Sequence, residues 1–249
     1  FIDAQSERLD MEQLIGRIEK EQGEILVSVV NLPSIYGDLN LLKIIKGIFP
    51  NLKVVAIGTV TIPLYKLIAE SGACDVIIRG DAEVVLLRLL RRLQRLAMTG
   101  EFEIQDGVLT NKAISRIENL DDYPELPYHL VPIDRYWYHV FGKGIKYAPI
   151  FSSRGCSYRC YYCPYPMGFG DKIVYRDPIK VVDEIENFQK RYGIKGVLFR
   201  DQVFTMDWLR TEKICDEIIK RNLKIEWVIE TRLDRVNEKL LKKMKQAGC

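Results

Sequence analysis

Residues 149–163 read PIFSSRGCSYRCYYC. The first five, 149–153, are apolar and then hydroxylic, a strand running out to an end. Arg154-Gly155 breaks it, and a glycine- and aromatic-rich loop runs from Arg154 to Asp171. Within that loop Cys156, Cys160 and Cys163 stand in a Cys-x3-Cys-x2-Cys spacing. Pro178 then opens a helix over 178–192. A loop between a strand and a helix lies at the carboxyl end of a parallel sheet, where α/β folds carry their chemistry.

Outward from this loop the pattern repeats. Residues 196–200 read as a strand, 208–221 as a helix, 225–230 as a strand and 237–247 as a helix before Gly248. That makes three strand–helix units. Three units cannot close a barrel or cover their own sheet edge, so a longer natural protein is expected. Phe1 at the start and Cys249 at the end of a helical stretch carry the same expectation.

Upstream, strands at 25–30, 54–57 and 75–78 alternate with helices at 38–48, 63–70 and 82–98. The run ILVSVV at 25–30 reads as a strand buried on both faces. Thr61 is the expected cap of the 63–70 helix, with Pro63 in its first turn. Residues 1–3 and a helix over 7–20 look like the tail of an earlier unit. Alternation of this length implies a parallel sheet with right-handed crossovers. The segment 99–147 breaks the rhythm with three prolines and an aromatic cluster, Tyr136-Trp137-Tyr138. A small hairpin is expected at 101–104 and 107–110, and the rest is an interdomain connector.

Composition sets the outer limits. The 249 residues are 47% hydrophobic and 29% charged, an ordinary globular balance. A net charge of +3 gives no electrostatic case for nucleic acid. No apolar stretch approaches a membrane span. Three of the six cysteines crowd into eight residues, which points to a metal site in a reducing, cytoplasmic compartment rather than to disulfide staples. Arg88, Arg91, Arg92 and Arg95 line one face of the 82–98 helix and read as a solvated basic stripe. Cys74 and Cys215 read as buried small hydrophobes.

Three thiolates at this spacing can wrap one cubane iron–sulfur cluster and leave its fourth iron open to a ligand. Two alternatives exist. Zinc would need His129 or His139 as a fourth ligand, and its usual modules pair Cys-x2-Cys units. A disulfide would leave one thiol over.

The cysteine spacing, with Tyr162 before the last cysteine, resembles the radical S-adenosylmethionine (SAM) superfamily. Further stretches, FRDQVFTMD at 199–207, WVIETR at 227–232 and LLKKMKQAGC at 240–249, resemble the branch with an N-terminal cobalamin-binding-type domain. The Asp-Asp-Tyr-Pro-Glu-Leu-Pro run at 121–127 is similar to that branch too. The resemblance implies an α/β chain: a Rossmann-like cobalamin-binding-type parallel sheet domain at 1–98, a connector at 99–147, and the first half of a radical SAM (β/α) barrel at 148–249. It implies a 4Fe–4S cluster on Cys156, Cys160 and Cys163, with SAM chelating the open iron and Tyr162 near its adenine. One electron then cleaves SAM to a 5′-deoxyadenosyl radical that takes hydrogen from an unactivated carbon. The most frequent outcome in this branch is cobalamin-dependent methyl transfer to carbon or phosphorus. Cyclisation or rearrangement is the second enzymatic reading, methylthio transfer a third, and a metal-stabilised binding module the non-enzymatic one. A small-molecule or natural-product-like substrate and a reductant such as flavodoxin or ferredoxin are the implied partners.

Asp201, Gln202, Glu230 and Arg232 follow the second and third strands of the barrel half and are expected at the same mouth as the loop. Asp201 or Glu230 would receive SAM's ammonium or ribose, and Arg232 its carboxylate; the alternative for each is a structural ion pair. Related sequences often carry two acids where this one has Asp201-Gln202. In the first domain the strand-end loops place Asn31, Ser34, Gly58, Thr59 and Gly80 as cobalamin-binding candidates. Paired glycines are usual where Gly58-Thr59 stands. There is no Asp-x-His-x-x-Gly motif to supply a cobalt ligand, and a purely structural Rossmann-like domain is the alternative.

Overall fold

The computed structural model describes residues 1–93, 101–142 and 144–249. Two compact units emerge. A Rossmann-like unit comprises Met11–Glu118 and Cys156–Lys172, and a barrel unit comprises Phe1–Asp10, Asn119–Gly155 and Ile173–Cys249. The units cut across the expected divisions at 98 and 147. The first sheet continues past residue 98, the aromatic connector packs with the barrel strands, and the cysteine loop packs with the first sheet.

In the Rossmann-like unit, α1 (Met11–Glu21) leads into β1 (Ile25–Val29), α2 (Ile35–Ile48), β2 (Lys53–Ile57), α3 (Tyr65–Glu70), β3 (Val76–Ile77) and α4 (Ala82–Leu93). A hairpin of β4 (Phe102–Gln105) and β5 (Val108–Asn111) follows. The sheet order is β1-β2-β3-β5-β4, parallel except for β4 against β5. The expected hairpin therefore exists, but it extends the main sheet instead of standing in a connector. Its turn is Asp106-Gly107, both with positive φ, the two-residue geometry that suits strand twist.

Val54, Val55, Ala56 and Ile77 are completely buried, so β2 and β3 form the middle of this sheet. The run at 25–30 was expected to be buried on both faces. β1 instead lies at the sheet's edge with Val29 exposed, a distinction that a continuous apolar run does not carry. Thr61 does not cap a helix. Its hydroxyl donates to the carbonyls of Gly58 and Ile78 at 2.9 and 2.7 Å, and α3 begins four residues later. The helix expected over 7–20 begins at Met11, because Arg8 adopts a positive φ and ends a turn there. Arg88 is exposed and pairs with Glu101 at 3.2 Å. Residues 94–98 of the expected helix, Arg95 included, lie outside the described residues.

In the barrel unit, β6 (Tyr147–Ile150) is followed by β7 (Ser153–Arg154). Beyond the cysteine loop, whose own helix is α5 (Tyr165–Phe169), come β8 (Val174–Tyr175), α6 (Pro178–Tyr192), β9 (Gly196–Phe199), α7 (Trp208–Lys220), β10 (Glu226–Val228) and α8 (Glu238–Gln246). The sheet is β10-β9-β6, all parallel, and β7 pairs antiparallel with β8. Helices α6, α7 and α8 each start on a side-chain cap: Asp177 accepts from Ile179 and Lys180, Asp207 from Arg210, and Asn237 from Leu240. Caps of this kind contribute about 1 kcal/mol each. Ala148, Ile150, Val197, Phe199 and Trp227 face Val181, Ile185, Ile214, Ile218, Leu240 and Met244 in one core. The Trp227 indole N–H is satisfied by the Ala247 carbonyl at 2.9 Å.

The aromatic cluster belongs to this unit rather than bridging two domains. Tyr136 donates its hydroxyl to Asp3 at 2.5 Å, and the Tyr138 ring lies 5.9 Å from that of Tyr147. None of the described helices is long and apolar enough to cross a membrane.

Candidate functional site

The cysteine loop leaves the barrel unit at Gly155, whose φ of +99° turns the chain sharply after β7. Cys156 N–H then donates to the Gly170 carbonyl at 3.1 Å, closing the loop on itself. Cys163 N–H donates to the Cys160 carbonyl at 3.0 Å, a tight turn around Tyr161 and Tyr162. Pro164 starts α5, and its carbonyl receives the N–H groups of Met167 and Gly168. Cys156 is buried, while Cys160 and Cys163 are half-buried and all three are free thiols. Tyr161 is fully exposed and Tyr162 largely so, with their rings edge to face.

The donor set fits a cluster better than a single ion. Residues 154–171 contain three thiols and no histidine. Among the described residues, no three His, Cys, Asp or Glu side chains converge as the ligands of one metal ion do. Zinc needs its donors on one centre at about 2.0–2.3 Å. A cubane bonds each thiolate to a different iron, so its sulfurs need not meet at one point. Three thiols without a histidine therefore fit an iron–sulfur cluster with one iron free of protein ligands.

At the carboxyl ends of the barrel strands, the four expected residues divide into two kinds. Asp201 is completely buried. Its carboxylate accepts from the Ser152 N–H at 2.7 Å, the Ser152 hydroxyl at 2.6 Å and the Ser153 hydroxyl at 2.5 Å. Burial pushes its pKa up, and the serine hydrogen bonds and the nearby Arg210 charge only partly oppose that. Gln202 is also committed to the fold, its side-chain oxygen accepting from the Gly155 N–H at 3.0 Å. Glu230 and Arg232 are the accessible pair. Glu230 meets Arg200 at 2.9 Å, and Arg232 meets Asp234 at 2.9 and 3.0 Å.

Several polar groups behind the strand ends escape sequence reasoning. The buried Arg210 donates to the carbonyls of Ser152 and Arg176 and lies over the Tyr175 ring. Burial lowers its basicity. Arg176 pairs with the buried Glu184 and with Asp121. The available signal was spacing: Arg210 and Thr211 share the buried face of α7 with Ile214, Cys215 and Ile218. A charge at a core position needs a buried partner.

In the Rossmann-like unit the five cobalamin candidates all follow β1, β2 or β3. The Asn31 N–H and the Ser34 hydroxyl both donate to Asp38, at 2.9 and 3.0 Å. Gly58, at φ +128°, has no room for a side chain, since a Cβ would stand 2.5 Å from the Val30 carbonyl oxygen. Gly80 is confined likewise by Ser115. These two glycines are explained by backbone contact. Thr59 is covered by Gly168 of the cysteine loop, where a Cβ would stand 2.5 Å from the Thr59 Cβ. Beside these polar groups Val29, Leu32 and Tyr36 expose apolar surface.

Comparison with known proteins agrees with this geometry. The model of the radical SAM superfamily matches residues 150–249. An uncharacterised methyltransferase of Pyrococcus horikoshii is 28% identical over 255 residues, covering 100% of this chain and 55% of the relative. The anaerobic magnesium-protoporphyrin IX monomethyl ester cyclase of Cereibacter sphaeroides is 29% identical over 261 residues, covering 100% of this chain and 42% of the relative. The chain thus spans about half the length of the curated relatives it matches. Among solved structures, the radical SAM methyltransferase TsrM of Kitasatospora setae, with tryptophan and a SAM analogue bound, shares the fold at a TM-score of 0.75 and 16% identity. That match covers 100% of this chain and 51% of TsrM. The likeness of this chain to the radical SAM superfamily thus rests on residues 150–249, the stretch its family model matches.

Proposed function

We propose that this chain is the SAM-cleaving part of a cobalamin-dependent radical SAM methyltransferase acting on a small molecule. The carrying observation is the loop of three thiols, free of histidine, that follows the first barrel strand. The fold shared with TsrM and the methyltransferase name of the Pyrococcus horikoshii relative support it. When bound, the cluster supplies the single electron that cleaves SAM, and cobalamin supplies the methyl group.

The chain's own residues have distinct tasks in this reading. Cys156, Cys160 and Cys163 hold the cluster as thiolates. Tyr162, exposed beside Cys163, flanks the adenine. Glu230 takes the ammonium or ribose hydroxyls of SAM and Arg232 its carboxylate, since both present charge at the surface. Asp201 and Gln202 position the strand end that enters the loop and do not bind SAM. On the first sheet, Asn31, Ser34 and Thr59 offer hydrogen bonds beside exposed Val29, Leu32 and Tyr36, a surface that fits a large flat cofactor with a polar tail. Gly58 and Gly80 contribute backbone there. A flavodoxin- or ferredoxin-like reductant and a reducing, cytoplasmic setting complete the proposal.

Radical cyclisation is the second reading, favoured by the cyclase relative, which is as similar as the methyltransferase. Anaerobic loading with iron and sulfide, followed by reduction with SAM and methylcobalamin, tests both. Release of 5′-deoxyadenosine or of S-adenosylhomocysteine in the natural full-length protein supports SAM chemistry. Only methyl transfer produces a product carrying label from methyl-labelled SAM. A colourless, iron-free protein overturns both readings.

A further inference from the structure

The cysteine loop has a second anchor besides its covalent root. Arg116 belongs to the segment that follows β5, a segment locked to the sheet. There Ser115 pairs with Gly80, and the Ile117 N–H donates to the buried Asp81 carboxylate at 2.8 Å. From this base the Arg116 guanidinium donates to the Gly168 carbonyl at 2.8 Å and to the Met167 carbonyl at 3.2 Å. These are carbonyls at the end of α5, which no further helical turn satisfies. Gly170 lies against the same guanidinium, where a Cβ would stand 3.0 Å from Arg116 Nε. The Gly170 carbonyl in turn accepts from the Cys156 N–H at 3.1 Å. On its other side α5 rests on Thr59 through Gly168, with no space for a methyl group.

We propose that Arg116 is a positioning residue for the cysteine loop: a cation of the Rossmann-like unit that clamps the end of α5 and so fixes the backbone of Cys156. The proposal deepens the cluster reading, because it says what holds the thiols in place before iron arrives. A planar guanidinium suits the task because it addresses two neighbouring carbonyls at once, which a lysine ammonium cannot do in one fixed plane.

Alkylation of the iron-free protein under anaerobic conditions, followed site by site by mass spectrometry, tests the clamp. In Arg116→Ala, Cys156 should react about fivefold or more faster than in the parent, as local opening of the loop becomes easier. Cys74 and Cys215, buried elsewhere, should keep their parental rates. Arg116→Lys should fall between. Gly168→Ala, which pushes α5 off Thr59 and displaces the carbonyl that Arg116 holds, should also speed Cys156 and serves if Arg116→Ala does not fold. A parental Cys156 rate in these variants, or a rise matched by Cys74, overturns the clamp. Iron loss to a chelator from the loaded protein separates the two ideas. A parent that takes up no iron sinks the cluster reading and leaves the alkylation result standing. Equal iron loss from parent and Arg116→Ala counts against the clamp alone.

Discussion

The Gly155 N–H donates to the Gln202 side-chain oxygen at 3.0 Å, immediately before the first cysteine of the loop. The other end of that amide donates to the Arg200 carbonyl at 3.3 Å. Its neighbour Asp201 meanwhile holds Ser152 and Ser153. Two consecutive residues after β9 thus grip Ser152, Ser153 and Gly155, the stretch from which the cysteine loop departs. Neither side chain needs a ligand to explain its presence.

Gln202 therefore yields a first prediction. Gln202→Ala leaves the partly buried Gly155 N–H without its acceptor and should cost about 1–3 kcal/mol in urea unfolding. Gln202→Glu keeps an acceptor and should cost less, in keeping with the acids common at this place in related sequences. If Gln202 serves SAM instead, Gln202→Ala will weaken SAM binding in the loaded protein while leaving the urea midpoint unchanged.

Asp201 gives a pH dependence whose sign follows from its burial. Its folded-state pKa lies above the ordinary carboxylate value. The folded state consequently holds the proton more tightly than the unfolded chain, and stability falls as pH rises through the raised pKa. Asp201→Asn removes that titration. The stability advantage of the parent over Asp201→Asn should be greatest at acid pH and should shrink as pH rises. Paired thermal melts across the acid-to-neutral range check this, and an advantage that grows with pH would refute it.

Much of this arrangement is visible in the sequence, for physical reasons. The barrel helices α6, α7 and α8 carry Asp or Asn at their caps and a regular apolar face, so their limits read to within a residue or so. The cysteine loop announces itself by spacing. Burial of polar groups is less legible, because an Asp at a strand end looks the same whether it faces a ligand or two serine hydroxyls. Ser152 and Ser153 become meaningful only once β6 and β9 are paired. The place of β4 and β5 in the sheet, and of 156–172 with the first unit, depends on long-range packing that local periodicity does not encode. Arg116 lies in a stretch without pattern and has no sequence signal at all.

Gly58 tests how tightly the carboxyl edge of the first sheet is built. The residue combines φ of +128° with a carbonyl 2.5 Å from where a Cβ would be. Gly58→Ala must strain the backbone or push β1 from β2, where Val30 N–H bonds the Ile57 carbonyl at 2.8 Å. Backbone strain of this kind costs about 1–3 kcal/mol. A matching fall in denaturant midpoint, with weaker cobalamin binding in difference spectra, is expected. Gly72→Ala, at φ +67° but with no atom within 4 Å, should lose less. Equal losses would mean that crowding against Val30 has no part in the effect.

Five of the six cysteines should separate into two chemical groups. Burial pushes the Cys74 and Cys215 thiols up to about 12, so at pH 8 almost none of either is thiolate. Both are also shielded from reagents. Native iron-free protein should resist alkylation at these two positions, while Cys160 and Cys163, half-buried in the loop, should react. Loading with iron and sulfide should then protect Cys156, Cys160 and Cys163 together and leave the slow rates of Cys74 and Cys215 unchanged. Replacing any one loop cysteine by alanine should abolish stable cluster binding, because two thiolates cannot hold a cubane whose fourth corner is also open. Cys74→Ala and Cys215→Ala should retain parental iron content, with only the modest stability loss of a small core deletion. Protection limited to two loop cysteines, or iron retained in Cys163→Ala, would show that the third thiol is not a ligand.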